Sequence, residues 1–301
     1  MIDNGLIEKY FLNRKTSSSH CAYIPTNSIV SSSKITLPEM QETNFYTKPC
    51  PPSQVDAEVL LSQVYAKAGL KSAIYMPAIL QSEQGSKCGV ISNDVIDTPS
   101  QRAFIKEFFE RHGYIPSNAY DIRDAVRFDP RIILPYKKDY KIDTHNDKFS
   151  KNCIRQMIKT RLFDVASFNV DRHFRNFYYE MKDNKPDDVV LFDYAMSGNV
   201  YRYVNTNHRY YPNDFAMVHE LNLIKDFVTK KTREDMIENF KNNETMHDYI
   251  ETRELVDALK SVDIKETARD IKDTIGYEVD SFYTKEIAES FENLAEEIQP
   301  W

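Results

Sequence analysis

The chain has 301 residues, 41% of them apolar, and 39 Lys and Arg against 46 Asp and Glu leave a net charge of −7. That length buries a sizeable core, as one large domain or as two lobes sharing a cleft, while the acidic balance argues against general nucleic-acid binding, which calls for a basic face against phosphates. No apolar run approaches a bilayer span, and Met1 to Lys15 set Asp3, Glu8, Lys9, Arg14 and Lys15 among single apolar residues, so no membrane span and no secretion signal are expected.

Cys21, Cys50, Cys88 and Cys153 form no CxxC pair, and the histidines include no HxH or HExxH arrangement. Neither a zinc site nor a disulfide framework is predicted, and a reducing cytoplasm is the expected location.

In chain order, the first fifty residues are polar and punctuated by Pro25 and Pro38, with strand-like runs at Ile35 to Leu37 and Phe45 to Lys48. Ser53, after two prolines and three residues before Asp56, predicts a capping box opening a helix. Val55, Val59, Leu60, Val64 and Ala68 recur at helical spacing, and Gly69 stands where a helix end favours positive φ. Lys71 to Leu80 and Cys88 to Ser92, around a turn at Gln84 and Gly85, read as a hairpin, and Asn93 to Pro99 as a polar connector.

Beyond the connector the pattern turns helical. One helix is predicted from Ser100 to Gly113, with Phe104, Phe108 and Phe109 on one face, and a longer one from Phe149 towards Ala166. From Asp214 onwards apolar stripes such as Phe215, Val218, Leu221 and Ile224, then Ile287, Phe291, Leu294 and Ile298, describe a helical C-terminal half.

The segment Asp171, Arg172, His173, Phe174, Arg175, Asn176 sets an acid and an amide at the spacing of a kinase catalytic loop, after a helix and before the strand Phe177 to Glu180. A polar turn and the strand Val189 to Phe192 then return a second acid, Asp193, towards the first. Phosphoryl transfer depends on positioning and on metal charge rather than on covalent protein chemistry. In that chemistry Asp171 orients the attacking hydroxyl, while Asn176 and Asp193 offer oxygen ligands to magnesium. Taken singly, the same residues read as a helix cap, a turn residue and a strand end.

The run RLFDVASFNVDRHFRNFY, from Arg161 to Tyr178, and the VLFD ending at Asp193 resemble the catalytic loop and metal-binding acid of HipA-like serine/threonine kinases. Phosphatidylinositol 3- and 4-kinases carry a similar loop, so this segment alone leaves protein and lipid substrates open. Upstream, Tyr46, Thr47 and Lys48, then DAEVLLSQVYAKAGL from Asp56 to Leu70, then CGVISNDVI from Cys88 to Ile96, resemble the strand lysine, the glutamate helix and the hairpin to the hinge of that family.

The resemblance implies an α+β, two-lobed protein-kinase-like fold: residues 1–97 as a small lobe with an antiparallel sheet and one helix, and 98–301 as a mainly helical lobe. It implies ATP and Mg2+ as cofactors, Lys48 holding the α- and β-phosphates, Glu58 orienting it, and Ser92, Asn93, Asp94 and Val95 offering backbone to adenine. Lys34 competes for the lysine role. The partner implied is a protein with a Ser/Thr acceptor, with an antitoxin-like or host protein, and delivery to a host cell, left open. Autophosphorylation in the Ser-rich segments follows from the same likeness.

The chain departs from the usual kinase pattern in having no glycine between Gly5 and Gly69, so a glycine-rich phosphate loop is absent. Ser17 to Ser19 and Ser31 to Ser33 are the stretches that stand in its place, and as surface loops they need no such role. Asp193 is followed by Tyr194 and Ala195 rather than Phe-Gly. A partner-binding pseudokinase, an AMP-transferring enzyme and a lipid or small-molecule kinase are the alternatives.

Overall fold

The computed structural model describes residues 22–37, 44–93, 150–169, 176–182, 185–195, 197 and 249–299. Among them the protein is a mixed α+β structure of eight strands and five helices. A five-stranded sheet in the order β1-β5-β6-β3-β2 is built from β1 (Ala22–Pro25), β2 (Ser33–Thr36), β3 (Asn44–Pro49), β5 (Tyr75–Ser82) and β6 (Gly85–Asn93). All its pairings are antiparallel except β1 with β5.

This sheet curls until its edges approach each other. Thr26, just past edge strand β1, shares hydroxyl hydrogen bonds of 2.9 Å with both Ser33 on the opposite edge strand β2 and Thr47 on β3. Ser33 and Thr47 complete the triangle at 3.0 Å. Three hydroxyls, each both donor and acceptor, satisfy one another.

Helix α1 (Pro52–Lys67) follows β3. Its start corrects the expected capping box: Pro51 is the cap residue, without any side-chain cap bond, and Ser53 lies inside the first turn. Pro52 suits the first helical position, where its missing N–H costs nothing, and so moves the boundary one residue ahead of the serine. The C-terminus is as expected, with Gly69 at φ 78°. The Leu70 amide donates to the Tyr65 carbonyl and the Gly69 amide to that of Ala66, both at 3.0 Å, closing the last turn. Residues Val55 to Leu61 of α1 are all buried, so the helix runs through the interior rather than along the surface.

The chain after α1 differs from the expected hairpin arm. Lys71 and Ser72 form a separate strand, β4, parallel to β8 (Lys185–Leu191), and β8 pairs antiparallel with β7 (Phe177–Lys182). Pairing with β8 uses backbone groups from distant parts of the chain, which local periodicity does not reveal. Helix α2 (Lys151–Ala166) starts at Ser150, whose hydroxyl accepts the Cys153 amide at 3.0 Å.

Three helices close the chain: α3 (Thr252–Lys260), α4 (Ile264–Ile275) and α5 (Ser281–Ile298). The predicted stripe Ile287, Phe291, Leu294 and Ile298 is buried on α5. Phe291 meets Phe163 of α2 edge to face at 5.2 Å. Buried apolar residues from Ile24 to Ile298 form one continuous cluster. The helix predicted from Ser100 to Gly113 and the stripe from Phe215 to Ile224 lie outside the described residues, and no described helix is long and apolar enough to cross a membrane.

Candidate active site

Lys48 leaves β3 near its end, and the strand alternates so that Phe45 and Thr47 enter the core while Lys48 points to the other face. Glu58 sits in the second turn of α1, its side chain fully buried. The Lys48 ammonium donates to Glu58 Oε1 at 2.6 Å and to Asp193 Oδ1 at 2.5 Å. Glu58 Oε2 accepts the Tyr194 amide at 2.8 Å. The expected lysine–glutamate pair is therefore present, and Asp193 completes it. Lys34 is an exposed residue of β2 opposite Tyr46, and it is Lys48 that makes these ion pairs.

Backbone pairing explains why residues so far apart in sequence meet. In the β7–β8 ladder Phe177 faces Leu191, and the Phe192 amide donates to the Asn176 carbonyl at 3.2 Å, so Asn176 and Asp193 stand at the same end of the hairpin. Ser72 of β4 pairs with Leu191, and the Ala73 amide donates to the Leu191 carbonyl at 2.8 Å, which fixes the hairpin end next to the chain leaving α1. Asp193 then turns through a left-handed conformation at φ 62°. A non-glycine residue there is uncommon, and here the geometry gives its carboxylate to Lys48 and the next amide to Glu58.

The charges are tightly coupled. Burial pushes the Glu58 carboxyl up from its usual range and nearby Asp193 adds to the push, against the opposing pull of Lys48. Burial works against the Lys48 charge, but Glu58 and Asp193 outweigh it and hold the ammonium protonated. Tyr75 and Cys50 lie close enough to sense the cluster: burial and then the Glu58 charge raise both the phenol and the thiol, which keeps both neutral. Sequence reasoning missed Tyr75, Cys50 and the Tyr194 amide as neighbours of the site, because each arrives through tertiary pairing.

Side-chain exposure separates the two acids. Glu58 is 0% exposed and Asp193 28%, so only Asp193 is open to an incoming cation. Two carboxylates against one ammonium leave net negative charge, and a carboxylate oxygen from Asp193 and an amide oxygen from Asn176, at the same end of the hairpin, are hard-oxygen donors of the kind magnesium takes. The residues fit that ion. Among the described residues no three His, Cys, Asp or Glu side chains cluster as a metal site.

Of the other expected residues, Ser92 is buried and Asn93 ends β6 opposite Phe45. Asp94, Val95, Asp171, Arg172 and His173 lie outside the described residues, as do Ser17 to Ser19. In the second Ser-rich stretch the Ser33 hydroxyl is used in the sheet seam, while Ser28 Oγ accepts the amides of Val30 and Ser31, each at 3.1 Å. Cys50, Cys88 and Cys153 are free thiols.

The chain is similar to a kinase and to a HipA toxin complex of known structure. The first is the Helicobacter pylori proinflammatory kinase CtkA, at 13% identity and a TM-score of 0.40 over 88% of this chain and 90% of that one. The second is a chain of the Shewanella oneidensis toxin–antitoxin complex of HipA, HipB and operator DNA, at 11% identity and a TM-score of 0.39 over 99% of this chain and 70% of that one. No protein-family profile and no curated protein sequence matches the chain. Overlap this loose carries no weight for activity, and the site stands on the three charged residues and the backbone that gathers them.

Proposed function

We propose that the protein is an ATP- and magnesium-dependent phosphotransferase, a HipA-like serine/threonine protein kinase able to phosphorylate itself, with residues 1–97 as the nucleotide-binding lobe and 98–301 as the catalytic lobe. The observation that carries this reading is the Lys48 ammonium held between buried Glu58 and partly exposed Asp193. Such a pair pre-positions one cation for phosphate oxygens and one acid for a metal. Lys48 binds the α- and β-phosphates, and Glu58 keeps its ammonium from swinging away. Asn176 and Asp193 hold magnesium, which when bound supplies positive charge against the phosphate oxygens. Asp171 orients the attacking hydroxyl, and the backbone from Ser92 to Val95 receives adenine.

The absence of glycine between Gly5 and Gly69 favours a second reading, a nucleotide-binding scaffold that transfers nothing. Mass spectrometry of the purified chain incubated with ATP and magnesium separates the cases. A gain of phosphate supports the kinase, a gain of AMP points to transfer in the reverse sense, and an unmodified chain that also leaves protein substrates unlabelled favours the scaffold.

A further inference from the structure

Helix α1 carries Glu58 on one side and is gripped on the other by the C-terminal helices. Asp56 precedes Glu58 by two residues, so the two side chains leave the helix about 200° apart at 3.6 residues per turn. Asp56 is itself buried. Its Oδ1 accepts the Tyr277 hydroxyl at 2.9 Å and the Asp280 amide at 3.4 Å. Both donors belong to the connector between α4 and α5, and Asp280 is in turn the cap of α5, accepting the Tyr283 amide at 2.8 Å.

Lys67 follows Asp56 by eleven residues, about three turns, and therefore shares its face. Its ammonium reaches Asp270 of α4 at 2.5 Å. Tyr65 follows Glu58 by seven residues, about two turns, and shares the opposite face. There its ring packs edge to face against Tyr194, at 5.0 Å, beside the amide that Glu58 accepts. One face of α1 is thus fixed to the α4–α5 hairpin at both ends of the helix, and the other presents Glu58 to the site.

We infer that the α4–α5 hairpin sets the rotation of α1, with Asp56 and Tyr277 as positioning residues that hold Glu58 in reach of Lys48 and of the Tyr194 amide. The consequence for phosphate transfer rests on the function proposed above, but the mechanical coupling does not. Rotation of α1 about its axis moves Asp56 and Glu58 in opposite directions, so a hydrogen bond on the far side restrains the catalytic side. Burial of Asp56 makes its acceptor selective for these donors, because a buried carboxylate left without them is costly. The Lys67–Asp270 pair, exposed at both ends, adds direction rather than strength.

The test reads the Tyr194 amide, which reports the place of Glu58 without any need for catalysis. Hydrogen exchange of the full chain is compared for the wild type, Tyr277→Phe, Asp56→Ala and Ile298→Val, the last a mild cavity in α5 away from the connector. Tyr277→Phe deletes only the hydroxyl, so the fold is retained. Exchange at Tyr194 and along residues 55–61 is expected to rise about five- to tenfold in Tyr277→Phe and Asp56→Ala, the scale of one lost buried hydrogen bond, and not in Ile298→Val.

In phosphotransfer the Tyr277→Phe loss should disappear in a Glu58→Ala background, because no orientation is left to lose. Unchanged Tyr194 exchange in Tyr277→Phe, or an equal rise in Ile298→Val, overturns the inference. Faster Tyr194 exchange in the two clamp variants of a chain that transfers no phosphate keeps the clamp and removes the kinase reading instead.

Discussion

At the scale of single residues the cluster is an ammonium with two acids, of which one is hidden and one open. Lys48→Met leaves Glu58 buried without its cation, and such removal of one partner destabilises buried pairs by about 3 kcal/mol; the partial exposure of Lys48 and Asp193 reduces this to roughly 1–2 kcal/mol. The penalty has a definite pH dependence. Without Lys48, burial and the Asp193 charge raise the folded Glu58 pKa above the unfolded value, opposed only by the smaller effect of the Tyr194 amide hydrogen bond. The native state then holds the extra proton, so stability of Lys48→Met rises as pH falls towards the ordinary glutamate range and is lost as pH climbs. Urea unfolding of the variant at a series of pH values checks the sign, and a penalty that grows on acidification would rule out this account of Glu58. Asp193 and Asp171, the two acids of the proposed mechanism, should fail differently. Asp193→Ala should weaken magnesium-dependent nucleotide binding and transfer together, whereas Asp171→Ala should abolish transfer with binding nearly intact, because its contact matters chiefly in the transition state. Calorimetry with a non-hydrolysable ATP analogue, beside radiolabel transfer, measures both.

At the scale of elements, the strand carrying Lys48 lies unusually close to its neighbour. Gly89 of β6 faces Pro49 of β3, and a Cβ there would stand 2.4 Å from the Lys48 carbonyl and 2.7 Å from Leu80. Gly89→Ala must push β3 aside, at a cost of about 1–3 kcal/mol by analogy with overpacked cores. Because the displaced residue is Lys48, nucleotide affinity should fall with stability. Gly69→Ala provides the contrast: space is open around its Cβ, but φ is 78°, so about 1 kcal/mol of left-handed strain is expected with no loss of nucleotide affinity. Equal affinity losses in the two variants would show that the close approach at Gly89 is not specific to the site. The sequence made several of these elements legible. Gly69, the stripe of α5, the helix ending at Ala166 and the hairpin bringing back Asp193 all follow from local spacing. Ser53 misled because Pro52 competes for the helix start, and β4 stayed hidden because its pairing partner lies in a distant segment. Lys48 and Glu58 emerged from a resemblance, while Tyr75 and Tyr194 have no local signature at all. The Thr26, Ser33 and Thr47 hydroxyls meet only through the curl of the sheet, which no local spacing reveals.

At the scale of the whole molecule, a buried polar knot ties the Glu58 helix to the chain that leads to Asp171. Tyr65 of α1 donates to Asp164 Oδ1 at 3.0 Å and shares a hydrogen bond of 2.9 Å with Ser167. The same Asp164 oxygen accepts Asn169 Nδ2 at 2.9 Å, and the Asp164 carbonyl accepts the Asn169 amide at 2.8 Å. Between them Phe168 adopts φ 53°, so the chain leaves α2 through a conformation that the knot must support. Asn169 stands two residues before Asp171, and it also bridges Ser197, whose carbonyl accepts the Tyr283 hydroxyl at 3.0 Å. Tyr65→Phe keeps the ring contacts with Phe163 and Tyr194 but removes the hydroxyl from this knot. Loss of one buried hydrogen bond to a charged group should cost about 1.5–3 kcal/mol. Under the proposed mechanism its functional effect should fall on kcat, because the strain at Phe168 relaxes three residues before the acid assigned to orient the hydroxyl, while the Lys48–Glu58 pair proposed to hold nucleotide is left in place. Chemical denaturation gives the stability change, and initial rates over a range of ATP concentrations separate kcat from KM. A Tyr65→Phe variant that raises KM for ATP while leaving kcat unchanged would mean that the knot serves the nucleotide side of the site instead.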